Sequence, residues 1–192
     1  MTTSEIILAS ASPRRRELLR QIGVEFSVMI SDTDESVLDG EAPGDYAVRV
    51  ARDKVLAIWR QAAPPCPVLG ADTAVVLDGC ILGKPASRAE AREMLMRLSG
   101  CTHEVFSAVA LAVDEERILD ALNVSRVTFD DLSDTWIESY LDTGDSMDKA
   151  GAYGVQGRAA EKISRIEGSF SGVMGLPLFE TSQLLHRAEV LF

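Results

Sequence analysis

The sequence predicts a mixed α/β fold. Three observations carry that expectation: a short apolar run near the start that breaks directly into a helix, a tight hairpin signal after Leu77, and two long strand-like runs from Thr102 onward. With 192 residues, 46% hydrophobic and 26% charged, the chain can bury one substantial core, read as a single domain over residues 1–192 with room for two lobes.

Ile6-Ile7-Leu8-Ala9 reads as a buried strand that stops at Ser10-Ala11-Ser12. Pro13 brings the fixed φ favoured in a first helical turn, and Ser12 stands as its N-cap. A helix start leaves backbone N–H groups unpaired and carries partial positive charge, which suits an anion. Arg14, Arg15 and Arg16 follow, and successive helical side chains fan out by about 100°, so at least one turns back toward that space. Ser10 to Arg15 therefore reads as a phosphate cradle; the competing reading is a solvated basic helix face.

Gly23 closes this helix, and Val24 to Ile30 alternates as a second strand. Ser31 to Glu35 is an acidic loop. Ala47, Val50, Ala51, Val55 and Ile58 recur at helical spacing between about Tyr46 and Arg60. Lys54 borders that stripe, where a lysine can lay its stem along the core and offer its ammonium to a cleft. After a proline-rich loop, Ala62 to Pro67, the apolar strand Val68 to Leu77 is interrupted by Asp72. A carboxylate there is costly unless it is paired, bound to metal or used chemically.

Asp78-Gly79 is a type I′ hairpin signal, and the return through Cys80-Ile81-Leu82 should carry Lys84 back toward Asp72. Gly79 to Lys84 is not a P-loop. Three residues separate its glycines where four are needed, and Pro85 stands in place of Ser or Thr. Ser87 with Glu90 forms a capping box for a helix that ends at Gly100. The strands Thr102 to Val113 and Arg117 to Phe129 follow, the second alternating through Leu122, Val124, Val127 and Phe129. Ser133 caps a helix, Asp134 to Leu141, whose core face is Trp136, Ile137, Tyr140 and Leu141. His103 reads as a strand or surface residue without a catalytic role.

Asp148 to Gly157 is rich in small residues that let backbone approach a ligand, and Gln156 offers an amide edge complementary to uracil or thymine; the competing reading is an ordinary Gly-rich turn. Ile163 to Ile166 is a short strand and Gly168 to Gly175 a loop. Pro177 stands at the first position of a C-terminal helix.

Composition narrows the function. Cys66, Cys80 and Cys101 are an odd count without metal spacing, so they read as free thiols. No apolar run approaches the roughly 20 residues that span a bilayer, and Met1 to Ser4 carries no leader pattern, so a cytoplasmic protein is expected. A net charge of −11 argues against broad nucleic-acid binding. A small phosphorylated ligand needs only local positive charge and a carboxylate-held divalent metal.

Five motifs in this order, Leu8-Ala-Ser-Ala-Ser-Pro-Arg-Arg15, Gly70-Ala-Asp-Thr73, Gly83-Lys-Pro85, Lys149-Ala-Gly-Ala-Tyr-Gly-Val-Gln-Gly157 and Val173-Met-Gly-Leu-Pro177, resemble the Maf family of nucleoside triphosphate pyrophosphatases. The resemblance implies a fold similar to inosine triphosphate pyrophosphatases, with a long bent mixed sheet and two lobes around a cleft. It implies hydrolysis of dTTP and UTP between the α and β phosphates with Mg²⁺ or Mn²⁺, as nucleotide-pool housekeeping. Asp72 would be the general base and, with Glu35, a metal ligand; Asp34 could take Glu35's place. Ser10, Arg14, Arg15, Lys54 and Lys84 would bind the triphosphate. Arg14, Thr73 and Gln156 match the specificity set of the branch acting on dTTP and UTP. A homodimer is suggested by the resemblance alone. The alternative is a nucleotide-binding regulator of cell division without useful turnover.

Overall fold

The computed structural model describes residues 5–30, 32–62, 66–190 and 192. Met1 to Ser4, the first residue of the acidic loop, Ser31, and the centre of the proline-rich loop, Ala63 to Pro65, lie outside the described residues. The chain runs β1 (Ile6–Ala9), α1 (Pro13–Gln21), β2 (Phe26–Met29), α2 (Pro43–Ala62), β3 (Val68–Leu77), β4 (Cys80–Leu82), α3 (Arg88–Leu98) and β5 (Thr102–Ala112). It continues with β6 (Ile118–Phe129), α4 (Asp134–Leu141), β7 (Ile163–Glu167), α5 (Phe170–Met174) and α6 (Leu178–Arg187).

The strands form one mixed sheet in the order β2-β1-β3-β5-β6-β7, with β4 on β3. β2, β1 and β3 run parallel, as βαβ connections require, whereas the hairpin partners β3/β4 and β5/β6 are antiparallel. The core divides by strand face. Val68, Ala74 and Val76 pack with Val50 and Val55 of α2, while Leu69 and Ala71 pack with Leu18 and Leu19 of α1 and Leu184 and Leu185 of α6. Beyond Ala74, Val75 and Leu77 join a third cluster under α3 and α4.

The two edges of β3 are paired unequally. On one edge β3 pairs with β5 from Val68 to Val76. On the other it meets β1 only at Val68 and Leu69, and β4 only from Val75 onward. Among the described residues no strand covers 70–74 on that edge. The sheet therefore splits beside Asp72, at the C-terminal end of β1, which is where open α/β sheets form ligand crevices.

Several expected boundaries hold: Ser12, Ser87 and Ser133 each cap a helix through the side-chain oxygen, and Asp78 and Gly79 both take positive φ (51° and 77°) as a type I′ turn needs. Others shift. Leu122 and Val124 are exposed at 37% and 44%, since the inward parity of β6 belongs to Ser125, Val127 and Phe129. Within the expected loop 168–175, Ser169 caps the short helix α5. Pro177 is the N-cap of α6, not its first residue.

His103 lies on β5 but is not at the surface. It stacks on Phe129, shares a 2.7 Å hydrogen bond between Nε2 and Tyr153 Oη, and is buried. Burial pushes its imidazole down to about 4, from 6.5 in an unfolded chain. Between those values the unfolded chain binds a proton that the folded chain excludes. Stability present above pH 6.5 is thus lost as pH falls toward 4. Chemical denaturation across that window should show the wild type losing roughly 3 kcal/mol more than His103→Gln; parallel acid profiles would contradict this.

Candidate active site

A cavity of about 850 Å³ opens at the split in the sheet, within the size range of small-molecule sites. Its walls come from all three core clusters: Ala9 and Ala74, Val75 and Tyr153, Val155 and Met174. All nine residues singled out from the sequence line it: Ser10, Arg14, Arg15, Glu35, Lys54, Asp72, Thr73, Lys84 and Gln156.

The floor is a three-residue charge cluster. Asp72 and Lys54 are both buried, at 5% and 8% exposure. Lys54 Nζ donates to Asp72 Oδ1 at 2.8 Å and lies 2.8 Å from Glu35 Oε1, so one ammonium joins two carboxylates from distant parts of the chain. Helix α2 can bring Lys54 this close because residue 70 is glycine: a Cβ there would stand 2.8 Å from a Val55 methyl and 3.0 Å from the Ala51 carbonyl oxygen. Burial pushes the Glu35 carboxyl up, but the bond and charge of Lys54, helped by Lys84 and Arg15, outweigh it and hold the group below its ordinary range. Tyr46 Oη donates to the Glu35 carbonyl at 3.0 Å and Arg49 Nη2 to that of Ser36 at 2.9 Å, pinning the acidic loop to α2. Asp34 is excluded from the cluster by its own turn, where Oδ1 accepts from Ser36 N–H.

Strand alternation sends Thr73 to the opposite face from Asp72. There its Oγ1 meets Ser107 Oγ and Arg15 Nη2, both at 3.4 Å. Of the three arginines, Arg15 bonds side chains and backbone across the cavity. Its Nε donates to the Gly175 carbonyl at 2.8 Å and its Nη1 to Ser10 Oγ at 3.3 Å, so the guanidinium ties β1, β3 and the turn after α5 together. Burial lowers its pKa, against the pull of Asp72 and Glu35. Arg14 makes no side-chain hydrogen bond among the described residues, although it lines the cavity. Arg16 donates to the Ala11 carbonyl instead. The hairpin brings Lys84 to 3.8 Å from Glu35 Oε2, with the lysine 61% exposed; it forms no ion pair with Asp72 among the described residues. Gln156 is exposed in the opposite wall.

The family model described as Maf-like protein matches residues 5–188. The chain belongs to the Maf family. A Maf relative from Cupriavidus pinatubonensis is 49% identical over 97% of this chain and 98% of that protein, and one from Methylobacillus flagellatus is 52% identical over 97% and 94%. Both are named dTTP/UTP pyrophosphatase, as is a third from Bordetella avium, 50% identical over 96% of each chain. A HAM1 protein structure from Coxiella burnetii aligns with 24% identity and a TM-score of 0.46, covering 66% of this chain and 73% of that one.

The Maf pocket thus combines a strand carboxylate whose Oδ2 has no hydrogen-bond partner among the described residues, a shared ammonium, and a wall of arginines at a helix N-terminus. That combination can accept a proton at one point and neutralise phosphate charge beside it. Sequence reasoning gave no role to Tyr46, Asp145 or Lys149, which also line the cavity. Tyr46 begins the apolar stripe of α2, and Lys149 opens the Gly-rich motif. Those positions were the available signals.

Lys54→Met removes the shared cation while keeping the stem. The variant should lose about 3 kcal/mol at pH 7.5, because it leaves Asp72 buried without its partner. With Lys54 gone, burial raises the Glu35 carboxyl against only the weaker pull of Lys84 and Arg15, so the folded variant takes up protons more readily and the penalty shrinks toward pH 5. Urea titrations at the two pH values measure this; a penalty that grows as pH falls would reject the shared-cation account.

Proposed function

We propose that this chain is a nucleoside triphosphate pyrophosphatase that hydrolyses dTTP and UTP to the monophosphate and pyrophosphate. It serves nucleotide-pool housekeeping in the cytoplasm. The observation that carries the reading is the convergence, in one cavity of a Maf chain, of the Asp72-Lys54-Glu35 cluster, the arginine helix start and the Gln156 turn. Relatives about half identical and named for this activity support it. Among the described residues no helix is long and apolar enough to cross a membrane.

In this reading the triphosphate lies against Ser10, Arg14, Arg15 and Lys84, with the α-phosphorus toward Asp72. Asp72 Oδ1 is held by Lys54, which leaves Oδ2 to take the proton of the attacking water. The water oxygen bonds to the α-phosphorus, the bond to the bridging oxygen breaks, and pyrophosphate leaves with its charge met by Lys and Arg. Lys54 keeps Asp72 oriented through its 2.8 Å bond to Oδ1.

Glu35 and Asp72 also fit a divalent cation. Each carboxylate gives one oxygen to Lys54 and keeps a second toward the cavity, and Mg²⁺ or Mn²⁺ takes one or two carboxylates together with phosphate oxygens and water. When bound, the ion would neutralise phosphate charge and polarise the α-phosphate.

Two outcomes test this reading. Pyrophosphate release should be fastest from UTP and dTTP in a panel with CTP, ATP and GTP in Mg²⁺ or Mn²⁺, and Asp72→Asn should lower kcat by at least about 100-fold while keeping nucleotide binding. Tight binding with no wild-type turnover would favour a nucleotide-binding regulator instead. Gln156→Glu replaces an amide donor with an acceptor and should lower the UTP preference over CTP in kcat/KM by about tenfold or more; an unchanged ratio would mean that the base is read elsewhere.

A further inference from the structure

We propose that Asp145 and Lys149 are positioning residues for base recognition, a latch that sets the Gly154–Gly157 turn and thereby the point from which the Gln156 side chain leaves the backbone. This rests on the reading that Gln156 meets the base.

Lys149 lines the cavity and would pass for another phosphate-binding cation, but its donors are spent. An ammonium has three N–H donors. Lys149 Nζ gives all three to protein: the Asp145 carbonyl at 2.6 Å, Asp145 Oδ1 at 2.6 Å and Asp148 Oδ1 at 2.7 Å. Its side chain is only 8% exposed. The second carboxylate oxygen of Asp145 accepts from Tyr140 Oη at 3.4 Å, and the same hydroxyl accepts the Gly154 N–H at 3.3 Å. Tyr140 is fully buried in α4, so the latch is anchored in the core.

The turn is moulded onto this latch. A Cβ at Gly154 would lie 2.7 Å from Lys149 Cε, and one at Gly157 would run into Asp145 Oδ2. Gly157 has a φ of −97°, which any residue adopts, so it is this contact and not backbone conformation that calls for glycine. Gly157 N–H closes the turn on the Gly154 carbonyl at 3.1 Å. Gln156, within it, makes no side-chain hydrogen bond among the described residues, so a rigid turn presents an amide free for a ligand. Burial pushes the Asp148 carboxyl up, but its bond to Lys149, helped by the charge of Arg14, holds it below its ordinary range. A turn already held in place avoids the cost of ordering it when the base binds.

The test compares wild type, Asp145→Asn, Lys149→Met and Gln156→Glu for kcat and KM on UTP and CTP, with thermal unfolding measured alongside. Asp145→Asn keeps the shape of the side chain, so it supplies folded protein where Lys149→Met does not. Both latch variants should raise the UTP KM and cut the UTP preference over CTP by about tenfold, with kcat on saturating UTP changing less than about threefold. If they only lower the melting temperature and keep the wild-type UTP/CTP ratio while Gln156→Glu loses it, the latch is structural and the proposal is overturned. Where Gln156→Glu itself keeps the ratio, the base reading fails, and this inference with it.

Discussion

Two carboxylates held at one ammonium form the constraint on which the rest of the structure depends. Asp72 sits in the middle of an apolar strand, and Glu35 comes from a loop 37 positions earlier in the chain. Lys54 supplies the cation that both carboxylates share, and for Asp72, buried in the strand, it is the counter-charge that burial requires. Lys54 reaches them only because α2 packs against β3 at a glycine. The same helix supplies Tyr46 and Arg49, which hold the backbone of the acidic loop. One helix thus fixes a buried acid, its counter-charge and the loop that brings the second acid.

The open edge of β3 is the complementary feature. Among the described residues sheet pairing stops for the stretch 70–74 on one side, and that open edge becomes the seam of the cavity. Alternation along the strand gives the two faces different chemistry. Asp72 points to the α2 face with its lysine, while Thr73 points to the face where Arg15 stitches the first turn of α1 to Gly175. Two adjacent residues therefore serve two walls. Arg15 is engaged by the protein itself, whereas Arg14, also lining the cavity, makes no side-chain hydrogen bond among the described residues, an asymmetry within a run of three identical residues.

Charge distribution agrees with a small anionic ligand. The chain carries a net charge of −11, yet the cavity gathers arginines, lysines and a helix N-terminus around the carboxylate pair. A polyanion would meet an acidic surface outside the pocket, whereas a triphosphate fits within the local positive region. The glycine turn at the far wall lets an amide face the space a base would take.

Much of this was legible from residue order. Serine caps, the hairpin dipeptide, the helical spacing of α2 and the apolar run of β3 are local signals, set by backbone sterics and by burial of neighbouring side chains, so they act wherever the chain goes next. The motifs likewise pointed to most of the charged side chains of the cavity, though not to the roles of Tyr46, Asp145 and Lys149. What local chemistry could not decide was geometry between distant segments. Which face of β6 is buried depends on what α5 and α6 cover, and Leu122 and Val124 fell on the uncovered side. His103 was buried because Phe129 and Tyr153 close over it. That Lys54, rather than solvent, faces Asp72, that Glu35 and not Asp34 joins them, and that Lys149 spends its charge on the turn beside it follow from tertiary packing, since each depends on distances set by elements far apart in the chain.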